Sequence, residues 1–211
     1  MNPFRFIAVI FMGLAVSGCA SVETATRNAS LDAPQIQAAP LSFDVKEIRV
    51  SVPDTLRVSE ANRYYPGGDI VWREDPQGDR HAQVKAIFET AFAQGVSEVD
   101  PGLVPVILEV EVTRFHALTE KARYTIGGVH ALQFKMQMRN PQTGQVYGQP
   151  HFVKADFRAL GGAEAIKAER QGITQKYRIT NHLAQVIKTE LTDPKGYKAA
   201  FLGMMGAINQ L

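Results

Sequence analysis

The feature that most constrains this chain is a strictly alternating run. Val106, Leu108, Val110 and Val112 point one way, and Ile107, Glu109, Glu111 and Thr113 point the other. Period two is the geometry of a strand, so one face of that strand is core and the other is wet. Two other stretches share the pattern. Ile48, Val50 and Val52 alternate with Glu47, Arg49 and Ser51 until Pro53 ends the run. A longer stretch from about Tyr124 to Met138 sets Tyr124, Ile126, Leu132, Phe134, Met136 and Met138 against Gln133, Lys135 and Gln137, with Gly127-Gly128 as a bend. Asn140-Pro141-Gln142-Thr143-Gly144 reads as a hairpin turn, after which the chain returns through Val146-Tyr147 and then Val153, Ala155 and Phe157.

The period changes to that of a helix twice. Val84, Ile87, Phe88, Ala91 and Phe92 form one apolar stripe, with Asp75 or Asp79 placed to cap it and Gly95 to close it. Ile173, Tyr177, Thr180, Leu183, Ala184, Ile187 and Leu191 form a second, started near Gly172 and stopped by Asp193-Pro194. Ala163 to Arg170 is a shorter helical segment with little apolar periodicity. The order β-α-β-β-β-α predicts an α+β domain over residues 41–195, an antiparallel sheet with two helices packed on one face.

The first nineteen residues carry a different signal. Arg5 precedes the apolar run Phe6 to Val16, broken only by Gly13. At eleven residues the run suits a signal peptide and falls short of the ~20 needed for a lasting membrane span. Val16-Ser17-Gly18-Cys19 resembles the lipobox of bacterial lipoproteins, and Cys19 is the sole cysteine, so no internal disulfide can form. The resemblance implies a signal peptide over 1–18, cleavage between Gly18 and Cys19, diacylglycerol on the Cys19 sulfur and acylation of the new amino terminus. Several acyl chains on one cysteine would hold the protein stably on a membrane. Residues 19–40, rich in Ala, Ser, Thr, Gln and Pro, read as a flexible tether too poor in apolar side chains to fold.

Removing residues 1–18 takes away one of the 23 basic residues and no acidic ones, leaving 22 against 21. Lys and Arg are interspersed with Asp and Glu, which argues against a nucleic-acid partner. The chain has no Gly-x-Ser-x-Gly elbow, His-Glu-x-x-His helix, phosphate loop or dinucleotide fingerprint, so the sequence points to no catalytic residue and no cofactor. His81, His116, His130, His151 and His182 are scattered without metal-ligand spacing, and no metal is expected. Glu109 and Glu111 could present paired carboxylates for acid/base work, but acidic side chains on the wet face of a strand are the plainer reading.

Two features point to contacts. Tyr64, Tyr65 and Trp72 form an aromatic group that is either a partner or ligand patch on a loop or a satellite core. The tail over 196–211 carries Tyr197, Phe201, Leu202, Met204, Met205 and Ile208, too apolar for a solvated end. It either packs back on its own domain or serves as a partner- or membrane-binding helix.

From roughly Ser42 to Leu191 the chain resembles the auxiliary lipoproteins of envelope ABC transport systems and, more distantly, lipoproteins that assist lipopolysaccharide assembly. The features that carry this are the lipobox ending at Cys19, the tether, the helix Val84 to Phe92, the hairpin Leu132 to Tyr147 and the closing helix. Asn62-Arg63-Tyr64-Tyr65-Pro66 before Asp69-Ile70-Val71-Trp72 also resembles an uncharacterised group of alphaproteobacterial lipoproteins, which implies no activity. The expectation is a non-catalytic envelope lipoprotein that partners an envelope transporter or assembly protein. The alternative is a stand-alone periplasmic lipoprotein binding lipid or a small ligand. Ala20 and Ser21 after the cysteine, with no aspartate, imply by analogy the periplasmic face of the outer membrane.

Overall fold

The computed structural model describes residues 42–200 and residue 202. The signal peptide, the lipidation site at Cys19, the tether and residues 203–211 lie outside the described residues. The alternating run becomes β3 (Val104–His116), the strand to which most of the sheet is attached. On one side it pairs with β1 (Phe43–Ser51), and on the other with β4 (Gly128–Arg139), which in turn pairs with β5 (Val146–Lys154). Two short strands complete the described sheet: β2 (Ile70–Val71) beside the end of β3, and β6 (Phe157–Ala159) beside the start of β4.

The fold is α+β, but the sheet is mixed and not antiparallel throughout. β1 and β2 both run parallel to β3, whereas β3–β4, β4–β5 and β4–β6 are antiparallel. The cause is the helix α1 (Arg80–Ser97), which lies between β1 and β3 in the chain. It carries the chain back to the end where β1 began, so β3 sets out in the same direction.

Asp79 caps α1, its carboxylate accepting from the Ala82 amide at 3.0 Å. Gly95 does not close the helix as expected. It lies inside α1, where that helix presses against α4 (Gln175–Thr192), and a Cβ there would overlap the carbonyl oxygen of Ala184. The two helices share one core with the inner face of the sheet. Val84, Phe88 and Phe92 of α1 and Ile179, Leu183 and Ile187 of α4 bury against Val106, Leu108, Val110, Val112, Phe134 and Met136. Phe88, Phe92 and Phe134 meet with ring centroids 5.3–5.6 Å apart in edge-on geometry.

The stretch expected to open the second long strand departs from its pattern. Thr119 caps a one-turn helix α2 (Glu120–Arg123), the chain turns, and β4 begins only at Gly128. Gly127 has φ +71°, and its backbone passes so close to Gly161 that a side chain on the latter would collide with it. Tyr124 and Ile126 therefore leave the strand and face solvent. The segment with weak periodicity does fold, as α3 (Gly162–Arg170), and Gly172 ends it at φ +77°; α4 starts later, capped by Thr174. No helix among the described residues is long and apolar enough to cross a membrane.

Candidate functional site

The chain enters the described region at Ser42, beside the start of β3, where the Val104 amide donates to the Ser42 carbonyl. β3 then runs thirteen residues to His116, a length of about 40 Å. Both 18-residue helices begin at the His116 end and finish at the Ser42 end. The far end is therefore built from the loop before β2, α2, α3 and the first turns of α1 and α4.

The motif Asn62-Arg63-Tyr64-Tyr65-Pro66 is held there by its backbone and one side chain. Asn62 Oδ1 accepts from the Lys121 amide at 2.9 Å, the Arg63 carbonyl from Thr119 Oγ1 at 2.8 Å, and the Pro66 carbonyl from the His116 Nε2–H at 3.0 Å. Burial holds His116 below its ordinary pKa, and in the neutral ring this bond places the proton on Nε2. With its backbone clasped, the loop turns the two tyrosines outward. Tyr65 is 62% exposed, and Tyr64 lies under the Lys121 ammonium, 4.7 Å from the ring centroid. Trp72 does not join them. It is fully buried in the main core, edge-on to Phe115 at 5.6 Å, with its indole N–H donating to Asp75 at 2.8 Å.

Beneath the loop lies an ion-pair network that no local pattern announces. Arg73 joins Glu60 and Glu120, and Arg80, almost wholly buried, joins Glu60 at 2.6 Å. Arg123 bridges Glu74 at 3.0 Å and Glu169, while Lys176 holds Asp75 at 2.8 Å. Glu74 also accepts from the Lys176 amide at the start of α4, where the helix dipole favours a carboxylate. Burial works against the Asp75 carboxylate, yet the bonds from Lys176 and Trp72 outweigh it and leave its pKa below the usual value. The network ties together segments up to a hundred residues apart, so it fixes the end as one surface.

That surface is where exposed apolar side chains gather. Of the eleven large ones exposed among the described residues, eight belong to it, including Ile126 at 58% and Tyr177 at 55%. Tyr124 reaches Glu169 through its hydroxyl at 3.1 Å, and Ile166 on α3, Ile173 in the link to α4 and Tyr177 on α4 are exposed at the same end. Only Tyr64 and Tyr65 were marked by the sequence. Ile173 and Tyr177 fall on a helical stripe that reads as core, and Tyr124 and Ile126 on an alternation that reads as strand.

The other sequence-level sites resolve simply. Glu109 lies on the uncovered face of the sheet, in a two-point contact with Arg139 at 2.8 and 2.9 Å, and Glu111 pairs with Lys135 at 3.1 Å. The bond to Arg139 holds the Glu109 carboxyl below the ordinary range, the wrong direction for a group that must donate a proton at neutral pH. A shallow concavity of about 420 Å³ on this face is lined by Arg49, Glu109, Glu111, Lys135 and Pro150. His116 bonds the Pro66 carbonyl, His130 and His182 pack on Phe157 at 4.9 and 4.1 Å, and no acidic, histidine or cysteine side chains group to hold a metal among the described residues. The tail begins by packing back: the Tyr197 amide donates to Glu190 at 2.8 Å, its ring meets His182 edge-on, and Leu202 reaches a groove beside Ile126 and Ala159.

Fold and surface together define a small α+β domain with a mixed sheet, helices on its core face and one apolar, basic-fringed end. The chain belongs to a family of unknown function, DUF6778, whose profile matches residues 43–207. No curated protein and no solved structure matches it.

Proposed function

We propose that this chain is a non-catalytic envelope lipoprotein, anchored through Cys19 at the periplasmic face of the outer membrane, that acts as an accessory or assembly partner of an envelope transport system. The carrying observation is the gathering of exposed Tyr and Ile side chains at the end of the domain about 40 Å from where the chain enters it. Aromatic side chains fixed on a braced surface are the usual anchors of docking contacts. The apolar residues face outward from that end, so an anchored domain has a surface to offer a partner.

The competing reading, a stand-alone carrier of lipid or a small ligand, requires an apolar cavity between sheet and helices. Phe88, Phe92, Phe115, Phe134 and Trp72 occupy that space in mutual ring contact, which favours docking over enclosure. The test is crosslinking in intact cells from a photoreactive residue at position 65, with Cys19→Ser as the tethering control. Recovery of transporter or assembly subunits that depends on Cys19 supports the proposal. Co-purification of lipid alone with a well-folded protein overturns it in favour of the carrier.

A further inference from the structure

The charges left without an ion-pair partner among the exposed apolar residues at the far end are, among the described residues, of one sign. The acids there that adjoin α2, α3 and α4, namely Glu74, Asp75, Glu120, Glu164 and Glu169, are each tied to Arg73, Arg123, Arg158 or Lys176. Arg63, Lys121, Lys167 and Arg170 are exposed and make no ion pair among the described residues. Lys167 and Arg170 are exposed with Ile166 on α3, Ile173 is exposed just after it, and Lys121 stands over Tyr64. The space enclosed between α2, α3 and α4 is only about 10 Å³, room for one water and not for an inserted side chain. Two wider hollows flank it: one beside Ile126 and Ala159 that Leu202 of the tail already lines, and one walled by the ion-paired Glu60, Arg73, Asp75 and Arg80. Tyrosine and isoleucine fringed by lysine and arginine, with no room for an inserted side chain between α2, α3 and α4, is the chemistry that settles at the headgroup layer of a bilayer, with rings at the interface and cations on lipid phosphates.

We infer that this end seats on an anionic phospholipid surface, so that the membrane carrying the partner system is part of what the protein recognises. The inference rests on the reading of this end as the docking surface. Residues 19–41 span at most roughly 80 Å when extended, twice the length of β3, so an anchored domain can bring its far end to the leaflet that holds it. Tethering also raises the local concentration of the surface, so modest affinity suffices.

The test uses the full chain carrying Tyr65→Trp, mixed with vesicles of phosphatidylcholine alone or with equal parts phosphatidylglycerol. Trp72 is fully buried and provides a constant background, so any change in tryptophan emission reports position 65. The expected result is a blue shift with the anionic vesicles only. Each of Lys121→Gln, Lys167→Gln and Arg170→Gln should weaken the vesicle concentration dependence by about fivefold, and the three together by on the order of 100-fold. None of the three side chains is paired to an acid, so their unfolding midpoint should stay that of the parent. No shift at position 65 with anionic vesicles, or a shift unaffected by the triple change, overturns the inference. If it fails while the photoreactive residue at 65 still captures a transporter subunit in cells, the docking reading survives with a protein partner. Failure of both removes the surface from the function.

Discussion

Replacing Gly95 by alanine sets two effects of opposite sign against each other. By propensity alone the change should stabilise α1 by about 1 kcal/mol, since glycine is the poorest ordinary residue in a helix interior. The packing says otherwise. A Cβ at Gly95 would overlap the Ala184 carbonyl oxygen and the Ile187 Cγ2 atom, and would lie 3.0 Å from the Ala184 carbonyl carbon. Carbon contacts sit at ~3.5–4 Å, and the two overlaps are tighter than the carbonyl-carbon contact, so α4 must retreat by about 1 Å or more along its closest approach to α1. The obstacle is backbone inside a helix and cannot rotate aside. Overpacking of this kind costs about 1–3 kcal/mol; taking the upper end and subtracting the propensity gain leaves a net loss of about 2 kcal/mol. For a domain of this size that lowers the melting temperature by about 4–8 °C. Urea unfolding followed by circular dichroism reads it as a lower midpoint with unchanged slope. A midpoint equal to or above the parent's would refute the argument, because it would mean that the helices do not meet at Gly95.

Phe134→Ala, which opens the aromatic cluster beneath α1, should cost about 3–5 kcal/mol in the same assay, and a loss below 1 kcal/mol would contradict its central place. Stability should fall as pH drops below about 6.5: His116, His130 and His182 all have pKa values lowered first by burial, so they gain protons only on unfolding. Each contributes up to ~1.4 kcal/mol per pH unit between the unfolded value and its own lowered one, and a flat unfolding midpoint from pH 7.5 to 5.5 would rule this out. Arg123→Gln leaves Glu74 and Glu169 without their cation and should destabilise by about 3 kcal/mol; near-parental stability would show that the far end is not braced by this bridge. Cys19→Ser should move the protein from salt-washed membranes to the soluble fraction of fractionated cells, the salt releasing any contact of Lys121, Lys167 and Arg170 with lipid phosphates, and retention through the wash would exclude the lipid anchor.

Much of this architecture is legible before any coordinates. The α+β class, the inner faces of β3 and of β4 from Leu132 onward, the apolar stripe of α1 and an aspartate cap at either Asp75 or Asp79 all follow from periods of two and 3.6 residues and from the hydrogen-bonding needs of a helix start. These are local properties, and a chain segment carries them wherever it goes.

The tertiary structure decided the rest. Whether β1 runs with or against β3 depends on where α1 returns the chain, which no alternation records. Trp72 and Tyr65 are seven residues apart and equally aromatic, yet one completes the core against Phe115 and the other stands in solvent. The network linking Arg73, Arg123 and Lys176 to Glu60, Glu74, Asp75, Glu120 and Glu169 joins residues distant in sequence, and each of them alone reads as ordinary surface charge. Gly95 looks like a helix stop and is a point of contact between helices. Periodicity determines which side of an element is apolar, but only closure of the whole chain determines what that side meets and which apolar residues are left over to meet something else.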